Sequence, residues 1–306
     1  MNKKLLGVGL ALSGILVIFL LLNYIGGSIF HIERLQTGEN AILRFVFVVV
    51  GLLIALVVYL TTRQNKAWEV GTREVVWMAI GAALYAIFSW LFNGTVFIVP
   101  SVSQVALRPA IAIPMFFGYA FGPIVGFFTG AVGNMFGDAL TGFGLYPQWS
   151  IANGLIGFIA GLPLLFKDKK TSLDSVLIAG GVLTAVGIVF YFLNRGVVNQ
   201  LVYPFDQPVS LLAGISILVG FVLVVIVRFV FGKNIDIAAA VTWGMLGNIL
   251  GIGFAAISDI WINGYSPAVA IVGEFLPAAG PNLIFAAILV PLLVVAYAAV
   301  QRQSGR

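Results

Sequence analysis

Charge is scarce in this chain, cysteine is missing and histidine nearly so. Asp, Glu, Lys and Arg together make up 9% of the residues, against about a quarter in an ordinary soluble domain. With 61% of the chain hydrophobic, there is too little polar surface to wrap a core in water, which excludes a soluble enzyme. The absence of cysteine removes disulfides, thiolate nucleophiles and Cys-ligated zinc. The single histidine, His31, leaves no metalloprotease His pair and ties any Ser-His-Asp triad to the first loop. No G-x-x-x-x-G-K-[ST] loop is present, so the chain has no means of its own to hydrolyse ATP. Neither an enzyme nor a cofactor or metal is implied.

What is there is a series of long apolar runs. A bilayer core about 30 Å thick needs about 20 apolar residues per helix, and such runs recur about ten times. They span about Leu5 to Ile25, Ala41 to Leu60, Glu74 to Phe92, Ala106 to Phe121, Pro123 to Thr141, Ser150 to Phe166, Leu173 to Leu193, Val209 to Phe231, Ile237 to Ser258 and Pro281 to Val300. The expected fold is an all-α, polytopic transmembrane bundle of about ten helices. The first run is longer than a signal-peptide core and lacks a small-x-small cleavage site, so it reads as an uncleaved anchor. Uncharged loop Asn93 to Val105 and a long polar, aromatic connection from Asp259 to Gly280 stand out among the linkers.

The net charge of +5 resembles a nucleic-acid signal only until the positions are plotted. With the N-terminus inside, the inner segments hold Lys3, Lys4, Arg63, Lys66, Arg73, Lys167, Lys169, Lys170, Arg228, Lys233, Arg302 and Arg306, twelve of the 16 basic residues. Arg34, Arg44, Arg108 and Arg195 fall outside. That bias is a topology signal and puts both termini in the cytoplasm of a multi-pass cell-membrane protein that has no nucleic-acid partner.

Gly122, Gly126, Gly130, Gly133 and Gly137 form a seam of small residues at three- and four-residue spacing, which in lipid lets helix backbones approach. Ala79, Ala83 and Ala86 make a second small face, either internal packing or a dock for another membrane subunit. The pattern Gly-x-x-Gly-Asn-x-x-Gly occurs at Gly130 to Gly137 and again at Gly244 to Gly251.

Ionisable groups inside a bilayer are costly unless paired or facing a cavity. Arg108 lies about fourteen residues before the Gly122-Pro123 reversal and Asp138 about fifteen after it, so at 1.5 Å per residue the two reach one height. They form either a structural pair or a ligand contact. Asn134 lies one turn below Asp138, and Asn153 at a similar position on the next helix. Around them gather Asn93, Gln104, Tyr146, Gln148 and Trp149, then Trp261, Asn263, Tyr265, Glu274 and Asn282 from the late connection. Aromatic walls with a few amides and charges suit a planar, polar small molecule.

The block F-F-G-Y-A-F-G-P-I-V-G-F-F-T-G-A-V-G-N-M-F-G-D (Phe116 to Asp138), followed by L-Y-P-Q-W and G-L-I-G-F-I-A-G-L, resembles the substrate-binding S component of energy-coupling factor (ECF) vitamin transporters. The late segment Gly273 to Leu293 is similar to that family's last-helix region. The resemblance implies a six-helix core, made here from the third to sixth, ninth and tenth helices. Residues 1–72 would then be an added N-terminal transmembrane hairpin and linker, and residues 73–306 the S-component-like domain with 173–231 as an inserted helix pair. It also implies capture of a vitamin or related heteroaromatic compound from outside, and delivery through a T component and two ATPase subunits, the T component docking on Ala79, Ala83 and Ala86. A stand-alone ion-coupled transporter working through Asp138, Arg108, Asp259 or Glu274 is the alternative the residues leave open.

Overall fold

A computed structural model of the chain describes residues 3–93, 98–99, 101–102, 105–142, 144–200 and 205–304. Among them are ten α-helices in the expected order: α1 (Lys3–Leu20), α2 (Ala41–Thr62), α3 (Thr72–Asn93), α4 (Ala112–Phe121), α5 (Pro123–Thr141), α6 (Pro147–Gly161), α7 (Lys170–Leu193), α8 (Leu211–Val230), α9 (Ile235–Ile262) and α10 (Leu276–Gln303). The one strand pair named among these residues joins Ile98–Val99 to Val105–Ala106. Eight helical segments are long and apolar enough to cross a membrane, so the chain is an all-α, polytopic bundle. Of the remaining two, α4 is short, and α5 is rich in glycine and carries Asn134 and Asp138.

Helix α6 lies at the centre, with α5 and α9 against different faces of it. A Cβ on Gly126 of α5 would stand 2.3 Å from the carbonyl oxygen of Gly157, and one on Gly157 would stand 2.2 Å from that of Gly126. From the other face, Cβ atoms on Gly247 and Gly251 of α9 would meet the carbonyl oxygens of Ile156 and Ala152 at 2.6 and 2.7 Å. A Cβ on Gly130, in the first glycine-asparagine motif, would likewise stand 2.0 Å from the Asn153 carbonyl oxygen, so both motifs bring a helix backbone against α6 where apolar burial gives helices in lipid no drive to associate.

The basic segments gather at one end. Lys4 Nζ donates to the Asn65 carbonyl at 2.9 Å and Asn65 Nδ2 to that of Leu165 at 2.9 Å. Lys169 pairs with Asp236 at 2.8 Å beside a groove that Arg302 also lines. Arg44, at the far end, bonds to Asn263, and Arg108 to Asp138. The charge separation expected along the chain is therefore present in space.

Three boundaries differ from expectation. The fourth helix begins at Ala112, because Arg108 precedes a proline and is held out of the helical region (φ −127°, ψ 75°), leaving a short 3-10 turn over Pro109–Ile111. Pro147 occupies the first position of α6, where its missing N–H costs nothing, so Gln148 and Trp149 sit in a helical turn rather than in a loop. The long connection expected from Asp259 to Gly280 is mostly helical. α9 continues to Ile262, and a π-helical segment, Val269–Phe275, runs directly into α10. Pro277 falls within that expected connection and Pro281 at the expected start of the last helix. Yet Pro277 lies in the first turn of α10, just beyond the wide π turn, and Pro281 lies within the helix, and such local adjustments let membrane helices carry proline.

Candidate ligand-binding site

Arg108 is the centre of the polar interior. Its extended backbone before Pro109 lets the side chain enter the bundle. There Nε donates to Asn93 Oδ1 at 3.3 Å, Nη1 donates to Asn134 Oδ1, and Nη2 faces Asp138 Oδ1 at 3.5 Å. Asn134 Nδ2 donates in turn to Asp138 Oδ2 (2.7 Å) and Ser150 Oγ (3.1 Å). The equal spacing from the Gly122-Pro123 reversal did bring the two charges to one level. Asn134 is fully buried and Asp138 nearly so, so each charge is compensated in a medium where an isolated one would be very costly.

A second cluster lies beside the first. Asp259, on α9, accepts from Gln148 Nε2 at 3.0 Å and from Trp149 Nε1 at 2.8 Å. Glu274, fully buried in the π segment, reaches the same carboxylate. Tyr265, between α9 and that segment, has its phenol pushed up to about 12 by burial and then by the nearby carboxylates of Glu274 and Asp259. It therefore stays a neutral hydrogen-bond donor.

Trp149 links the clusters, because its carbonyl accepts from Asn153 Nδ2 at 2.8 Å while its indole serves Asp259. Between them is a cavity lined by Arg108, Trp149, Asn153 and Asn282, with Val105, Ala106, Ile252 and Ala278 as its apolar walls. Its volume is about 40 Å³, enough for a few waters. A drug-sized ligand occupies a pocket of about 300 Å³ or more, so its entry must move the walls apart. The buried Asn93 Nδ2 and Gln148 Oε1 have no hydrogen-bond partner among the described residues, and buried groups of that kind require an explanation such as water or a ligand.

The structure brings most of the expected residues together. Arg108, Asn93, Asn134, Asp138 and Asn153 form the first cluster, Gln148, Trp149, Asp259, Tyr265 and Glu274 the second, and Asn282 completes the cavity. Tyr146 and Asn263 lie at the rim, both against Arg44. Trp261 does not join them. It is 60% exposed on the outer face of α9, against Phe47. Gln104 lies outside the described residues. On α3, Ala79 and Ala83 are exposed, whereas Ala86 is buried against α5, so the open small-residue face is narrower than expected.

Sequence reasoning missed Tyr85, whose hydroxyl donates to Asn153 Oδ1 at 2.7 Å, and Ser150. Tyr85, Ser89 and Asn93 recur at four-residue spacing on one side of an apolar helix, a stripe that could have disclosed them. It missed Arg44 too, which the charge count had treated only as a loop-side residue.

A model of the family described as "ECF-type riboflavin transporter, S component" matches residues 69–235, more than half of the chain. The matched segment takes in α3 through α8. A UPF0397 protein of Vibrio atlanticus is 38% identical over 98 residues, 32% of this chain and 52% of its own length. A UPF0397 protein of Aliivibrio fischeri is 35% identical over 105 residues, 34% of this chain and 55% of its own length. The chain thus spans about half the length of these curated relatives. No solved structure matches it.

Proposed function

This chain belongs to the S-component family of ECF-type riboflavin transporters, and from that premise we propose that it is a substrate-binding subunit that captures a riboflavin-like heteroaromatic vitamin from outside the cell. The observation that carries the proposal is the cavity between α6, α9, α10 and the segment leading into α4, where Arg108, Asn153 and Asn282 face the space beside the indole of Trp149. A flat ring system with carbonyl and imide edges calls for that combination. The aromatic wall covers one face of the ring, while amides and a guanidinium meet its polar edge.

The cavity end faces outward and the basic end, with both termini, faces the cytoplasm of the cell membrane. α3 to α6 with α9 and α10 form the binding core, as the packing of α9 on α6 supports. The chain carries no ATPase motif, and energy comes from two ATPase subunits through a T component that docks on the exposed side of α3. The carboxylates and arginines hold the cavity in shape rather than coupling uptake to an ion gradient.

Docking on α3 predicts a separation of functions. Ala83→Trp adds a large ring to an exposed small-residue site without touching the cavity, so riboflavin affinity should stay within about twofold of wild type while partner-dependent uptake falls at least tenfold. Titration of the purified chain and uptake in cells that contain the partner subunits measure the two. Loss of both together would make that face internal packing, and unchanged uptake would move the docking surface elsewhere.

A further inference from the structure

The α1–α2 hairpin lies outside the matched segment, yet its connecting loop is built into the end of the bundle that holds the cavity. Leu145 N donates to the Gln36 carbonyl at 2.9 Å, and Thr37 bridges to Leu145. Asn40, in the left-handed conformation with φ 60°, donates from Nδ2 to the Ile262 carbonyl at 2.7 Å. One short loop therefore touches both the segment that leads into α6 and the C-terminal end of α9.

Arg44, one turn into α2, strengthens the connection. It is 3% exposed and donates from Nε to the Glu39 carbonyl at 2.8 Å and from Nη2 to Asn263 Oδ1 at 2.9 Å. Its guanidinium lies over the Tyr146 ring at 5.3 Å, and its charge acts on Asp259, Tyr265 and Glu274. A hairpin that served only as a membrane anchor would gain nothing from a buried arginine, because an intramembrane charge is costly and occurs where it is matched to a task. Here its direct partners are the Glu39 carbonyl, the Asn263 amide and the Tyr146 ring, and the carboxyl groups that act on its charge include Asp259, which also holds Gln148 and Trp149.

We infer that the N-terminal hairpin is a working wall of the binding site, with Arg44 as the positioning residue that fixes Tyr146–Trp149 relative to Asp259–Tyr265. Arg44 does not line the cavity. It acts through Asn263 and Tyr146, its direct partners on the two segments, on the residues that do. Only the consequence for ligand affinity rests on the proposed function, whereas the mechanical coupling of the two segments does not.

Arg44→Gln in the full chain tests both parts, read by amide hydrogen exchange and by riboflavin titration. Residues 144–149 and 259–265 should exchange at least tenfold faster together, although they are more than a hundred positions apart in sequence. The riboflavin Kd should rise about tenfold, a loss near 1.4 kcal/mol. Arg44→Lys, which keeps the charge but not the planar fork, should recover part of the affinity. Faster exchange confined to residues 36–44, or an unchanged Kd in a folded variant whose only defect is a lower melting temperature, would overturn the inference. Should Arg44→Gln not fold, Arg44→Lys and Asn263→Ala are judged by the same two readouts. If the wild-type chain does not bind riboflavin, the proposed function fails, and the exchange pattern still decides the coupling.

Discussion

Asp138→Ala should leave little folded protein and no measurable ligand binding. Among the described residues Asp138 supplies the one carboxylate that faces Arg108, and the guanidinium has side-chain relative exposure of only 16%. Breaking a buried pair from one side costs about 3–5 kcal/mol, since the remaining charge is left uncompensated. That is a large share of the 5–15 kcal/mol, or thereabouts, by which folded proteins are stable. Asn134 would lose one of its two acceptors as well, because its Nδ2 donates to the same carboxylate and to Ser150 Oγ.

Companion variants separate the structural effect from the effect on binding. Arg108→Met leaves Asp138 with Asn134 as its remaining hydrogen-bond donor, so it should fold better than Asp138→Ala. It also takes a donor off the cavity wall, and loss of a hydrogen bond to a charged group costs about 1.5–3 kcal/mol, or about 10- to 150-fold in Kd. The double variant Arg108→Met, Asp138→Leu buries no charge. It should recover much of the folded yield and still fail to bind. Size-exclusion yield, melting temperature and Kd measured on all three decide the matter. Wild-type affinity in Asp138→Ala would show that the pair is peripheral to the site.

Gly157→Leu should be the most damaging apolar substitution in the chain. Gly157 lies where α4, α5 and α6 converge. Its carbonyl oxygen would be 1.9 Å from a Cβ on Gly118 and 2.3 Å from one on Gly126, and its own Cβ would meet the Gly126 backbone at 2.2 Å. Every nearby atom belongs to a backbone, so no side chain can swing aside. Overpacking of a well-filled core ordinarily costs about 1–3 kcal/mol, and here α5 and α6 would have to separate along with their share of the Arg108 cluster. Gly14→Ala is the control. No atom lies within 4 Å of its Cβ, and alanine is the better helix former by about 1 kcal/mol. A Gly157→Leu protein with wild-type yield and melting temperature would remove the glycine crossing from the account.

Much of this was legible in the sequence because helices in lipid must satisfy their own backbone, which makes long apolar runs nearly unambiguous. All ten helices were expected, and α5 has the expected ends at Pro123 and Thr141. Arg108 and Asp138 were matched from residue counts alone, since the Gly122-Pro123 reversal gave a common origin for height. Two polar, aromatic stretches were the main source of error. Residues 146–149 and 259–280 were expected to be loops, whereas Pro147 begins α6 and Pro277 lies in the first turn of α10, so local polarity could not tell a helix end from a loop. Trp261 and Ala86 were misplaced for a different reason. Which face of a helix a residue occupies depends on how neighbouring helices pack, and small-residue seams ran along more than one face. Arg44 was invisible because its tertiary partners, Tyr146 and Asn263, lie at least a hundred residues away in sequence.

Titration of the purified full chain with riboflavin, followed by intrinsic tryptophan fluorescence, tests the central claim most directly. Trp149 forms part of the cavity wall, so a bound flavin ring would quench it at close range. The account predicts saturable quenching that reports binding of one ligand per chain without any partner subunit. Quenching should be greatly weakened in Arg108→Met and retained in Ala83→Trp. A folded wild-type chain whose fluorescence responds to riboflavin no more than that of Arg108→Met would contradict it.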